Sequence, residues 1–178
     1  MIDAEGPVGR IRLSKITGLG EGPVRTLTKH LEKKGLIATS REGITLTTVG
    51  KKLTSDLRLH IGKKTKIPPT TLTVGPRNVA MLVKNASHLV KGGVEQRDAA
   101  IKIGALGATT LIFNRGKLRM PDVGEDVSQK DSKVHNLLIS ELQPSDNDIV
   151  IIGSSNDEST AEIGAIAAIL ETLRIRKN

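Results

Sequence analysis

Val24-Arg-Thr-Leu-Thr-Lys-His-Leu-Glu-Lys-Lys-Gly-Leu-Ile37 is the stretch that decides how the first third of this chain folds. Val24, Leu27 and Leu31 recur at spacings of three and four, which places them on one face of a helix. Glu21-Gly22-Pro23 suits its start, because proline is tolerated in a first turn and an acid there favours the helix dipole. Gly35 ends it. Upstream, Leu13 to Thr17 reads as a short helix stopped by Gly18-Leu19-Gly20. Downstream, Leu36–Thr39 and Ile44–Thr47 read as two short strands around the turn Ser40-Arg41-Glu42-Gly43. Thr47 or Thr48 then caps a third helix running to about His60, with Leu53 and Leu57 inward and Lys51, Lys52 and Arg58 outward.

Helix, glycine turn, helix, hairpin, helix is the order of a winged helix-turn-helix. The Val24–Ile37 phrase resembles the recognition helix and first wing strand of that superfamily. Leu46-Thr-Thr-Val-Gly-Lys-Lys-Leu53 resembles its passage from wing to helix, and the likeness covers residues 7–60. One departure stands out: the superfamily opens with a further helix packed on the other two, and only Met1-Ile-Asp-Ala-Glu-Gly6 precedes Pro7. Two explanations fit, of which the first is preferred: a start codon assigned too late, or an exposed apolar face covered by another element or subunit.

Charge points the same way. Residues 1–66 hold 14 Lys and Arg against 6 Asp and Glu, whereas residues 67–178 hold 13 of each. The net +8 thus sits in the first third, as in a polyanion-binding module rather than a chain carrying a spread solubility charge. Phe113 is the only aromatic residue, which argues against the stacking platforms used on single-stranded nucleic acid. With no cysteine there is no disulfide, thiolate metal site or cysteine nucleophile. No apolar run approaches the roughly 18 residues of a membrane span, and no signal peptide is evident. A soluble, cytoplasmic protein is expected.

The boundary is read at Gly62-Lys-Lys-Thr-Lys-Ile-Pro-Pro69, giving a winged-helix domain at 1–62, a linker at 63–69 and an α/β domain at 70–178. In the last of these, strands are expected at Thr71–Val74, Val79–Val83, Thr109–Phe113, Leu118–Met120 and Asp148–Ile152. Turns are expected at Gly75-Pro76-Arg77 and Asn114-Arg115-Gly116, and a surface loop from Pro121 to Ser132. Helices are expected at Glu95–Leu106, Val134–Leu142 and Thr160 to about Ile175. The fold class is therefore α+β: a winged helix followed by a small sandwich-type domain with about five strands and three helices.

Opposite Val24, Leu27 and Leu31, the second helix presents Arg25, Thr26 and Lys29 in its first two turns, where a recognition helix meets base edges. Arg25 suits a guanine, whose O6 and N7 match its planar fork. Thr26 suits a base or a thymine methyl, Lys29 either a base or a phosphate, and Lys33 and Lys34 phosphate. Arg12 and Lys15 are read as phosphate positioners, and Arg41 at the hairpin tip reaches a minor groove or the adjoining backbone. The alternative for each is a solvated residue on an exposed face, and His30 is read as a boundary residue.

In the second domain Gly153-Ser-Ser-Asn-Asp-Glu-Ser-Thr160 leaves a buried strand and enters a helix. Ser154, Ser155 and Asn156 are candidate ligand contacts there, since ligands favour such strand ends and free amides favour anions. Asp157 and Glu158 oppose an anion, and capping is the competing reading. Glu95, Arg97 and Asp98 are read as intramolecular, with Asp98–Lys102 a helical pair. His88 and His135 lack a partner at metal-binding spacing. No catalytic set, cofactor motif or metal site is found.

Val94-Glu-Gln-Arg-Asp-Ala-Ala-Ile101, Gly107-Ala-Thr-Thr-Leu111, Met120-Pro121 and Asn147-Asp-Ile-Val-Ile-Ile152 before an alanine-rich helix resemble a group of archaeal proteins. Those proteins pair a winged helix with a C-terminal domain of unknown function. The resemblance implies the same layout and a regulatory role, and assigns no ligand or reaction. The expectation is a sequence-specific duplex DNA binder and transcriptional regulator. Its C-terminal domain dimerises, senses a small-molecule effector, or both, with the final helix, Ile163–Leu170, in a close-packed homodimer contact. The alternatives are a metabolite enzyme with an attached nucleic-acid domain, and a protein- or RNA-binding module.

Overall fold

A computed structural model describes residues 2, 6–121 and 123–174. The chain divides into two compact units, Met1–Arg58 and Leu59–Asn178.

The first unit holds α1 (Arg10–Thr17), α2 (Glu21–Lys33), β1 (Ile37–Thr39), β2 (Ile44–Leu46) and most of α3 (Thr48–His60). The strands form an antiparallel ribbon with Ile37 opposite Leu46 and Thr39 opposite Ile44. Val8 bridges Ile44 on the ribbon's other side, each amide donating to the other's carbonyl at 3.0 Å. The Thr47 hydroxyl accepts from the Gly50 amide at 3.1 Å and so caps α3. Gly50 also lets α3 sit against the chain entering β1, because a Cβ there would lie 2.0 Å from the Leu36 carbonyl oxygen.

Val8, Val24, Ile37 and Ile44 are buried, but Leu27 and Leu53, expected to face inward, remain 46% and 41% exposed. For Leu27 the reason is a gap in the packing. Leu13, Leu27, Leu31, Leu46 and Leu57 border an open apolar cavity of about 440 Å³ rather than a closed core. The question of a missing opening helix concerns residues 1–6, of which 1 and 3–5 lie outside the described residues.

The second unit is built on one sheet: β3 (Ile61–Ile67), β4 (Arg77–Val83), β5 (Gly107–Asn114), β6 (Lys117–Arg119) and β7 (Ile149–Ser155). The spatial order is β3-β4-β7-β5-β6, and every neighbouring pair is antiparallel. Helices α4 (Val94–Lys102), α5 (Val127–Lys130), α6 (Ser132–Leu142) and α7 (Glu158–Arg174) complete it. One face of the sheet packs Leu82, Leu111, Phe113 and Ile152 with Val134 and Leu138 of α6. The other packs Met81, Ile149 and Ile151 with Ala161, Ala165 and Ile169 of α7. Covered on both sides, β7 is buried along its whole length, as its apolar run anticipated.

Small residues set the spacing of the second layer. A Cβ on Gly153 would lie 2.1 Å from the Ala161 carbonyl oxygen, and one on Gly164 would lie 2.7 Å from the Ala105 Cβ. The alanine and glycine face of α7 is thus consumed inside the unit and is not free for the dimer contact expected of it. Ile163 and Leu170 lie exposed on its outer side.

Several boundaries move. The segment read as a linker at 63–69 is mostly strand β3, and the strand expected at Thr71–Val74 is a turn. Lysines misled the reading. Lys64 pairs with Glu162 at 2.5 Å and Lys66 with Glu158 at 2.8 Å, both on α7, while the Lys63 ammonium donates to Gln143 at 2.6 Å. Alternating residues reach opposite faces, and charged lysines are what an edge strand carries. Gly75-Pro76-Arg77 is no hairpin, since Arg77 already opens β4. Helix α4 ends at Lys102, short of Leu106, and α5 occupies part of the expected 121–132 loop. Asp98 pairs with Arg97 at 3.0 Å.

Candidate nucleic-acid interface

Helix α2 has two sides of opposite character. Val24 and Thr28 are buried, and the Thr28 hydroxyl donates to the Val24 carbonyl at 2.7 Å, which satisfies it inside the helix. At 100° per residue, Gly22, Thr26, Lys29 and Lys33 fall on the far side and Arg25 on the flank. All five are exposed. From Arg25 to Lys33, three cations and one hydroxyl extend along about 12 Å of helix at 1.5 Å per residue. The Thr26 hydroxyl lies 3.3 Å from the Gly22 carbonyl, a long bond that a base can displace.

The remaining residues named from sequence lie on neighbouring elements. Arg12 and Lys15 are exposed on α1, which packs against α2. Arg12 has a partner within the chain, so a phosphate contact means exchanging it. Arg41 is exposed at the ribbon tip, in a tight turn closed by the Ser40 amide donating to the Gly43 carbonyl at 2.9 Å. Lys34, just past the end of α2, is exposed as well.

Sequence reasoning missed one positioning residue. The Glu32 carboxylate accepts the Thr39 amide at 3.2 Å, which ties the end of α2 to the first strand of the ribbon. Seven residues and a change of element separate the two, so no local pattern signals it.

Three of the lysines counted in the basic first third, Lys63, Lys64 and Lys66, belong to β3 in the other unit. The excess charge of the helical unit is smaller than the sequence division implied.

The proposed ligand loop is divided between strand and helix, with Gly153–Ser155 closing β7 and Glu158 opening α7. Ser154 and Ser155 are buried in β7, paired with Gly107 and Arg77, and of the three candidate contacts only Asn156 is exposed. The Asp157 carboxylate accepts the Thr160 amide at 2.8 Å and caps α7, and that bond holds its pKa below the ordinary carboxylate value. Among the described residues, no group of three or more His, Cys, Asp and Glu is arranged to hold a metal ion, and no helix is long and apolar enough to cross a membrane.

Comparison with known proteins bears on both units. The CggR N-terminal DNA-binding domain matches residues 1–61. The family described as a domain of unknown function, DUF4443, matches residues 74–173. A solved structure, a hypothetical protein from Pyrococcus horikoshii OT3, is similar over 96% of this chain and 92% of that one, at 26% identity and a TM-score of 0.62. No curated protein matches. The N-terminal part is accordingly a DNA-binding domain, followed by an α/β domain of the second family, as the resemblance implied.

Proposed function

The chain belongs to the DUF4443 family, and on that premise we propose that it is a transcriptional regulator that reads double-stranded DNA sequence-specifically. The observation that carries this reading is the outward face of α2, where Thr26, Lys29 and Lys33 stand exposed opposite a buried Val24, with Arg25 exposed on the flank. A helix of α2's 13 residues fits the major groove with its N-terminal turns against base edges. Arg25 reads a guanine, Thr26 a neighbouring base, and Lys33 with Lys15 and Arg12 holds phosphate. Arg41 at the ribbon tip meets the flanking groove.

The C-terminal unit dimerises, senses a small molecule, or does both. One winged helix reads few base pairs, and pairing half-sites raises affinity and specificity together. The outer side of α7, with Ile163 and Leu170 exposed, supports a role in pairing. Light scattering giving a monomer at micromolar concentration would remove the dimer.

Selection from random duplexes by the full chain tests the main reading, with one enriched motif expected. If about six phosphates are neutralised, log affinity falls against log salt with a slope near −5. Weak binding indifferent to sequence would end the regulator reading.

A further inference from the structure

We infer that the second unit carries a binding site for a small organic anion, in the groove between the start of α4 and the open edge of β5; its purpose as an effector site rests on the regulator reading, its geometry does not.

Strand β6 pairs only with Ile112–Asn114 of β5, so Gly107–Leu111 has no outer neighbour among the described residues. The Phe113 amide donates to the Asp148 carbonyl of the β7 side at 2.9 Å. Antiparallel alternation therefore turns the amides and carbonyls of Ala108 and Thr110 outward. The Thr110 side chain is only 4% exposed, yet its hydroxyl has no hydrogen-bond partner. Its neighbour Thr109 is satisfied, donating to the Leu72 carbonyl at 2.6 Å. Burying an unpaired hydroxyl is costly, and such a group marks a place where a partner belongs.

Facing Thr110 is the start of α4. Gly93 holds φ at +81° and offers no side-chain cap, and a Cβ there would come within 3.6 Å of the Thr110 Oγ1. Glycine keeps that space open and leaves the first amides of the helix without a cap, where a negative group is favoured. Arg97, one turn on, lines the same groove. Its Nε and one terminal nitrogen bond Asp98, at 3.1 and 3.0 Å, which leaves the other terminal nitrogen for a ligand. No described residue lining the groove is acidic, and the exposed Glu95 is not part of the lining.

Size and walls narrow the class. The cavity measures about 280 Å³, near the lower end for small-molecule pockets, so it admits a small metabolite and not a dinucleotide. Val74, Leu106, Met120 and Val123 give it an apolar side. A second cavity of about 370 Å³ shares Met120 and Pro121 and carries Arg115 and Arg119, extending the cationic surface. The occupant is a carboxylate or phosphate ester whose anionic head bonds the α4 amides, Thr110 and Arg97, with its carbon body against Met120 and Val123.

The test is amide NMR on the full chain, titrated separately with hexanoate, phenyl phosphate and, as a control of opposite charge, hexylammonium. Saturable shifts of Gly93, Val94 and Thr110 with either anion and none with the cation are expected. Thr110→Val keeps the shape and removes the hydroxyl, and weakens binding about tenfold without lowering thermal stability. Arg97→Gln, at an exposed position, weakens it similarly. Silent amides with both anions, or unaltered affinity in both variants, would overturn the site. Saturable anion binding in a chain that ignores duplex DNA would keep the site and end the regulator reading. Sequence-specific DNA binding with silent amides would do the reverse.

Discussion

In the helical unit the buried apolar side chains among the described residues are Val8, Val24, Ile37 and Ile44, and half-exposed leucines border an open cavity. In the sheet unit two clusters on opposite faces bury β7 entirely and β4 from Asn78 to Val83. The first unit presents a cationic helix face and a tight ribbon tip over a thin core. The second is closed through its core, where both faces of the sheet are covered. There, an opening such as the one between Gly93 and Thr110 carries information, because the surrounding packing shows what closure looks like.

Stability experiments can break that contrast. Leu138→Ala, in the closed core, should cost about 2–5 kcal/mol in denaturant unfolding of the full chain. Gly50→Ala should cost about 1–3 kcal/mol in the helical unit, since the added Cβ meets the rigid Leu36 carbonyl and not a yielding side chain. Arg25→Ala should leave stability unchanged, weaken the selected duplex by about 1–3 kcal/mol and relax the preference at one base position. Equal loss on every sequence would reassign Arg25 to phosphate.

Leu27→Ala sharpens the comparison most, although its expected effect is smaller. At 46% exposure it should cost well under about 1 kcal/mol. A loss equal to that of Leu138→Ala would mean that the apolar cavity is closed in solution by something laid over it. The smallest effect concerns acid. The Ser128 hydroxyl and then Lys117, whose ammonium lies 2.9 Å away, hold the Asp126 carboxyl well below the usual carboxylate range. A carboxyl whose folded pKa is depressed stabilises above its unfolded value, near about 4, and loses that contribution as pH falls below it. Asp126→Asn should flatten the acid limb of a stability profile by lowering stability slightly at neutral pH while leaving the acid end nearly unchanged.

Much of the helical unit was legible because its signals are local. Val24 and Leu31 at helical spacing, Gly35 as a stop, Thr47 as a cap and a turn at Ser40–Gly43 all act within a few residues. The cationic face of α2 followed from the same periodicity. Leu27 misled because periodicity states which way a side chain points and not whether anything lies over it. In the sheet unit β7 and the Arg115–Gly116 turn were readable, while β3 was not. Its lysines resemble a linker until Glu158 and Glu162, nearly a hundred residues later, arrive beside them. Ser154 and Ser155 looked like a ligand loop, because small polar residues do not announce that a strand continues.

The amino-acid order alone settled the helix–turn–helix–ribbon succession, the cationic face on α2 and the two-part layout. These depend on spacing and residue type, which short stretches of chain contain completely. Tertiary structure decided the strand order, the destination of the β3 lysines, the internal use of the small face of α7 and the meeting of Gly93 with Thr110. Each of those joins residues far apart along the chain, and only the closing of the sheet brings them within bonding distance.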